Sequence, residues 1–406
     1  MRTDIGWKHP WSDPRGRRSG AVALALGVAA SVALGAAAAA PATAAGLAAP
    51  GALLLRERPP CKSFITGPSG QLLPCESTRV STLVIRTPSG RLLHRYRIRR
   101  YVTAEAATMS PDQRSIAVFA SKGWATPRGL LLIRVSDAKK RWLVRPRRSL
   151  GYRSPAWSPD STKVLYERSG PEQWVVDVRT GADARVPFPP LANRTTYPLF
   201  LPKGDILFSA LPEPQTGYFG NPLQLFRLPL NGTPATAVSP EFEHQPVAAD
   251  ISPDGRSIAF VSSSHRSQSP VWVVPIGGGD PQVIAQGPGE FNGGAIRWSP
   301  DGTRLAIRWD APPPKTSTPF TPRSRGELVG LDGARTPLPL PPTADTDRFA
   351  WSPDSRYVMY ATPVTRPGPS GHGSRLVAVT TTGRLRHIDL PRSDDSPQWL
   401  PRRPAR

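Results

Sequence analysis

An all-β chain folded as a single β-propeller of four-stranded antiparallel blades is the architecture this sequence predicts. Three observations carry the expectation. A strand-turn-strand motif, best seen in Trp298-Ser299-Pro300-Asp301-Gly302-Thr303-Arg304-Leu305-Ala306-Ile307, recurs with a period near 48 residues. Each copy is followed by a second hairpin, and the two chain ends hold complementary parts of one further repeat. Composition agrees: 50 prolines and 35 glycines in 406 residues disfavour long helices and suit short strands joined by turns.

The motif has a local physical logic. Pro300 presets φ at the first turn position, Gly302 can take a positive φ, and Ser299 and Asp301 can bond the turn amides. Close copies begin at Ser110, Ser158, Ser252 and Ser352. Ser110 to Ser158 is 48 residues, Ser252 to Ser299 is 47 and Ser299 to Ser352 is 53, whereas Ser158 to Ser252 is 94, about two periods. A worn copy is therefore expected midway, and Leu201-Pro202-Lys203-Gly204-Asp205-Ile206-Leu207-Phe208 fills the place. A last partial copy surrounds Ser396-Pro397-Gln398-Trp399-Leu400.

Outer hairpins are predicted over Thr82 to Ile98, Leu130 to Val144, Gln173 to Val186, Leu223 to Val238, Val271 to Ile284, Glu327 to Leu338 and Arg375 to Ile388. That makes seven outer hairpins and seven first strands, but six clear second strands. The missing one is expected around Ser63 to Thr66, so that both termini close one blade and no sheet edge is left open. The count favours seven blades, with six if the N-terminal hairpin only caps the array. Trp157, Trp298 and Trp351, at the ends of innermost strands, are expected to wedge between neighbouring blades.

The domain reading is an export signal over 1–45, a linker over 46–60 and the propeller over 61–406. Arg15, Arg17 and Arg18 precede the small apolar run Ala21 to Leu34, and Ala42-Thr43-Ala44 offers a cleavage site. Arg17-Arg18 is a weak twin-arginine signal, because Ser19-Gly20 follows it. The expected location is extracytoplasmic, at most peripheral to a membrane, as a monomer. Cys61 and Cys75 are the only cysteines, and in an exported chain such a pair is read as a disulfide worth about 3 kcal/mol.

The Trp-Ser-Pro-Asp-Gly turns followed by short apolar strands resemble the WD-like repeat of TolB-type propellers over residues 80 to 400. The resemblance implies an exported, non-catalytic scaffold that binds other proteins. TolB-like proteins carry six blades and a separate N-terminal domain, for which this chain has no room. Related repeats also occur beside hydrolase domains, but no Gly-x-Ser-x-Gly elbow is present.

A second resemblance, to oligogalacturonate lyases, implies channel histidines holding a divalent metal and a basic side chain acting on a uronate. Here His244 alone sits where a channel ligand would stand, so no metal or other cofactor is expected. Net charge is +22, which favours acidic partners, although coding bias toward Arg, Ala and Pro also produces it. Arg95, Arg97 and Arg99 alternate with Tyr96 and Ile98 on an outer strand, and Lys139-Lys140-Arg141-Trp142 decorates the next blade. If those strands adjoin, one basic stripe forms on the rim; the blander account is protection of sheet edges by charge.

Long polar loops at Leu211 to Pro222 (with Tyr218 and Phe219), Ser262 to Pro270 and Ala311 to Gly326 are the expected partner surface if they share one face. The candidate partner-binding residues are thus Tyr218, Phe219, Arg95, Arg97, Arg99, Arg141 and Trp142. The partner is read as a protein or an anionic envelope polymer. Nucleic acid is disfavoured by export and by the lack of a recognised binding module.

Overall fold

The computed structural model describes residues 51–57, 65–66, 72–73, 82–98, 103–121, 128–146, 150, 154–168, 172–188, 196–210, 224–242, 246–262, 269–277, 279–287, 292–311, 323–340, 349–365, 372–388 and 398–400. Seven four-stranded antiparallel sheets account for nearly all of them, and no helix occurs among the described residues.

Blade 1 is built from both ends of the chain. Its strands are β1 (Ala52–Glu57), β4 (Thr82–Arg86) and β5 (Leu92–Arg97), closed on the inside by β30 (Gln398–Leu400). Between β1 and β4 lies a two-stranded ribbon of β2 (Ile65–Thr66) and β3 (Leu72–Leu73). Blade 2 comprises β6 (Thr103–Met109), β7 (Ser115–Ser121), β8 (Arg128–Arg134) and β9 (Lys140–Val144). Blade 3 comprises β10 (Ala156–Trp157), β11 (Lys163–Glu167), β12 (Gln173–Asp177) and β13 (Asp183–Arg185). Blade 4, from the worn repeat, comprises β14 (Thr196–Phe200), β15 (Ile206–Ala210), β16 (Gln224–Leu228) and β17 (Thr236–Ala237).

Blade 5 comprises β18 (Pro246–Ile251), β19 (Ser257–Ser262), β20 (Pro270–Pro275) and β21 (Gln282–Gln286). Blade 6 comprises β22 (Asn292–Trp298), β23 (Arg304–Ala311), β24 (Arg323–Gly330) and β25 (Arg335–Leu338). Blade 7 comprises β26 (Ala350–Trp351), β27 (Tyr357–Thr365), β28 (His372–Thr380) and β29 (Leu385–Ile388).

The ring closes because there are as many interfaces as blades. Leu54, Ile85 and Tyr96 of blade 1 pack with Ile116, Val118 and Ile133 of blade 2. Ala117 and Phe119 point the other way, toward Val164 and Tyr166 of blade 3. The remaining boundaries repeat this pattern, and Leu53 and Leu55 complete the circuit against Met359 and Leu376 of blade 7. Consecutive side chains of a strand serve opposite interfaces, so a middle strand is buried on both sides. Runs such as Ile116-Ala117-Val118-Phe119-Ala120 are continuously apolar for that reason.

The closing strand is not where the sequence placed it. The second strand of blade 1 is β1, upstream of the expected 63–66 and inside the stretch read as a linker. Leu53, Leu54 and Leu55 can fill both adjoining interfaces at once, whereas Ile65 and Thr66 pair only with Leu73 and Leu72. Seven blades, not six, follow. Cys61 and Cys75 lie outside the described residues, as does the signal reading over 1–45.

Every Ser-Pro-Asp turn has one geometry. The serine amide bonds the carbonyl five residues on at 2.8 to 2.9 Å, and the carbonyl of the same serine accepts from the amide three residues on. Ser110, Ser158, Ser252, Ser299 and Ser352 each donate a hydroxyl to the turn aspartate at 2.6 Å. All five serines are buried. The position after Asp takes a positive φ whether it is Gly255, Gly302, Gln113, Ser161 or Ser355. The worn turn keeps the backbone, with Gly204 at φ 88° bonded to Leu201, but it has no serine hydroxyl or aspartate at the matching places.

Candidate partner-binding surfaces

In an antiparallel meander, turns between first and second strands emerge at the same end as turns between third and fourth. Loops between second and third strands emerge at the opposite end. The strand ends flanking the three long loops, Ala210 and Gln224, Ser262 and Pro270, Ala311 and Arg323, therefore gather at one face of the ring. Tyr218 and Phe219 lie outside the described residues. The insert of blade 6 is shorter than the sequence suggested, because Arg323 to Gly326 extend β24 against Arg308 to Ala311.

The basic residues sit on the outermost strands. On β5, Arg95 and Arg97 are exposed while Tyr96 and Ile98 are buried against blade 2, so the alternation places the arginines on the opposite side of the strand. Arg95 is partly committed: its guanidinium contacts Glu57 at 3.2 Å, and Glu57 also takes Arg86. Arg99 lies outside the described residues. On β9, Trp142 is half-buried against the blade 1 and 2 core, and the exposed Arg141 shares the side of Leu143, which faces blade 3.

The structure therefore does not align these cations in one stripe. It distributes them over neighbouring inter-blade grooves, with Arg97 on one side of β5 and Lys140 and Arg141 on opposite sides of β9. Arg91, Arg97, Lys140, Arg141 and Arg145 are exposed and have no salt-bridge partner among the described residues. Asp137, in the turn between β8 and β9, is engaged as well, 3.5 Å from Arg134 and 3.6 Å from Lys139.

The innermost strands hold a second polar feature that sequence reasoning missed. Two positions before the turn residue, Asp250 Oδ2 accepts from the Trp298 amide of the next blade at 2.8 Å, and Gln398 Oε1 accepts from the Met109 amide at the same distance. The tryptophans answer these bonds. Trp157, Trp298 and Trp351 donate their indole N–H to Thr108, Asp250 and Arg297 carbonyls at 3.1, 3.1 and 3.2 Å, each across a blade boundary. They are wedges, as expected, and each is also a strut.

Arg297 Nη1 lies 3.7 Å from Asp250 Oδ1. Removal from water pushes the Asp250 carboxyl above the usual carboxylate range, against the opposing pull of Arg297 and the two amides that bond it. Repetition could have revealed this latch only by comparing one position across all blades, because Asp250 and Gln398 accept an amide there with different atoms, whereas the Thr108 hydroxyl donates to the Pro155 carbonyl of the next blade at 3.0 Å.

No group of three or more His, Cys, Asp or Glu residues converges in a metal-binding arrangement among the described residues. His94 stands on the outer strand stacked against Tyr96, ring centroids 6.2 Å apart. His244 lies outside the described residues.

No protein-family model and no curated protein matches the sequence. Solved structures do match by shape. An oligogalacturonate lyase in complex with manganese shares 13% identity over 84% of this chain and 86% of its own, with a TM-score of 0.52. A functionally unknown protein from Desulfotomaculum acetoxidans shares 13% identity over 80% of this chain and 96% of its own, at 0.50. TolB from Acinetobacter baumannii shares 19% identity over 73% of this chain and 66% of its own, at 0.44. At such identities a common shape carries the fold and no activity. The chain is a seven-bladed β-propeller whose structural neighbours include TolB proteins and other propeller proteins.

Proposed function

We propose that this chain is an exported, non-catalytic scaffold whose basic rim and loop face hold a protein or an anionic polymer of the cell envelope. One observation carries the reading: the outer strands and turns of blades 1 and 2 expose Arg91, Arg97, Lys140, Arg141 and Arg145 without carboxylate partners among the described residues. Protection of sheet edges accounts for charge on those strands. It does not require that Glu57 and Asp137, two described carboxylates of these blades, be committed elsewhere, as they are. Long flexible cations spread over several grooves suit a ligand with repeated negative charge better than a single small anion. The N-terminal residues support export, and a pair of cysteines fits an oxidising compartment.

Capture from a cell-envelope extract on the immobilised chain tests the proposal. An anionic polymer held in dilute buffer and released by about 1 M salt is the expected outcome for the rim, since screening shortens to about 3 Å there. A protein retained through the same wash supports the loop face. Capture of neither, together with a stoichiometric divalent metal in the purified chain and cleavage of oligogalacturonate, would replace this reading by that of a metal-dependent lyase.

A further inference from the structure

The last residue before the turn of an innermost strand directs its backbone away from the ladder. Ser352 donates its amide to the Tyr357 carbonyl, so the next pair along, Trp351 and Val358, is not hydrogen-bonded, and the Trp351 N–H points toward the axis of the ring. Trp298 and Met109 hold the same place in blades 6 and 2. Their amides meet Asp250 and Gln398, each two positions before the turn residue in the preceding blade, at 2.8 Å. Ala156, Leu199 and Ala350 take that position in blades 3, 4 and 7, and offer neither acceptor nor charge.

Blade 6 puts a cation there. Arg297 pairs with Ala306, which packs toward blade 7, so it leans to the side of the Trp351 amide and can only donate. Its side chain is 40% exposed. Nη1 donates to the Ile296 carbonyl at 3.2 Å and lies 3.7 Å from Asp250, beyond hydrogen-bond length, while Nε and Nη2 meet no partner among the described residues. Arg308 is buried on the same side of blade 6, across the ladder from Ala295. The described core residues that blade 7 brings to this boundary, including Phe349, Trp351, Val358 and Tyr360, supply no carboxylate. Two arginines and an inward amide therefore share one boundary, and their complement is an anion. The chain carries its own template for it: the Asp250 carboxylate accepts from the Trp298 amide with one oxygen and stands beside Arg297 with the other.

We propose that the axis of the ring, between blades 6 and 7, binds a carboxylate from outside the fold. One oxygen accepts from the Trp351 amide and the other from the open edge of the Arg297 guanidinium, as Asp250 does one blade earlier. Ala156, Leu199 and Ala350 stand at the same level of the axis, so the body bearing the carboxylate is short and apolar: a free aliphatic acid or the C-terminal residue of a peptide. The site uses none of the rim cations on blades 1 and 2, and its failure would leave that reading standing.

Ligand-observed NMR titration of the full chain with butyrate and its neutral isostere butyramide tests the proposal. Butyrate should saturate, and butyramide should bind at least about tenfold more weakly. Arg297→Gln should weaken butyrate at least about tenfold, Arg297→Lys severalfold, since lysine keeps the charge without the paired donors, and Arg97→Glu should leave it unchanged. Arg297→Lys tests the site even if Arg297→Gln unfolds. Acetyl-Ala-Ala binding more tightly than butyrate would identify a peptide terminus as the source of the carboxylate, and weaker binding a free acid. Equal binding of butyrate and butyramide, no saturable binding of butyrate or acetyl-Ala-Ala, or indifference to both Arg297 variants would overturn the assignment.

Discussion

A methyl group placed on Gly255 would meet the ring of Pro202 at 2.0 Å, whereas at Gly302, the same place in the next repeat, the nearest atom is Pro253 Cδ at 3.8 Å. Both glycines have positive φ, yet Ser161 and Ser355 show that the turn tolerates a side chain there. Those serines accept hydrogen bonds from Asp112 and Asp301 amides of the preceding blade at 3.1 and 3.0 Å. Gly302→Ser should therefore cost less than about 1 kcal/mol and Gly255→Ser about 2 kcal/mol more, read from urea denaturation. At Ser299, loss of the hydroxyl takes the acceptor from the Arg304 amide and one of three donors from Asp301 Oδ1, so Ser299→Ala should cost about 1 to 3 kcal/mol in the same assay. The Ser-Pro-Asp turn was legible because its bonds are local. The Asp250 latch was not, because the amide that donates to it belongs to another blade 48 residues away.

Turns and strands respond to acid with opposite signs. The Ser158 hydroxyl and Thr162 amide hold Asp160 below the usual carboxylate range, and the Ser252 hydroxyl and Arg256 amide do the same for Asp254. A carboxyl depressed on folding stabilises the fold above its unfolded value and loses that contribution as pH falls through its folded value. Asp254→Asn should therefore be less stable than wild type at pH 7, with the gap closing toward pH 3. Asp250 is raised by burial, so wild-type stability falls as pH rises from the ordinary carboxylate range toward its folded value; Asp250→Asn should gain on wild type as pH rises over that span. Thermal unfolding at several pH values checks both. Repeats carried most strand boundaries into the sequence, including the worn blade 4. They did not carry β1, because Ala52–Glu57 is followed by no turn motif and lies amid Ala, Gly and Pro.

Closure makes the ring one cooperative body. Trp399 and Leu400 of β30 pack into the interfaces with blades 7 and 2, and β30 pairs with β1 through Ala52, Leu53 and Leu54. Leu54→Ala, at a buried site between blades 1 and 2, should lower stability by about 2 to 5 kcal/mol in urea denaturation, as for other buried leucines. The sequence favoured seven blades from its hairpins and first strands and left six open; pairing of β1 with β30 and β4 decides for seven. The distribution of cations was not, since whether Arg97 and Arg141 share a side depends on which face of each outer strand meets its neighbour.

The central claim is that this ring holds a polyanion through those cations without transforming it. Titration of the purified chain with polygalacturonate, for wild type and for the triple variant Arg97→Glu, Lys140→Glu and Arg141→Glu, with absorbance near 235 nm followed for unsaturated products, tests it most directly. The account predicts binding that weakens steadily with salt, falls at least about tenfold in the triple variant, and leaves the polymer intact. Equal binding by the variant, or release of unsaturated uronate by the wild type, would contradict it.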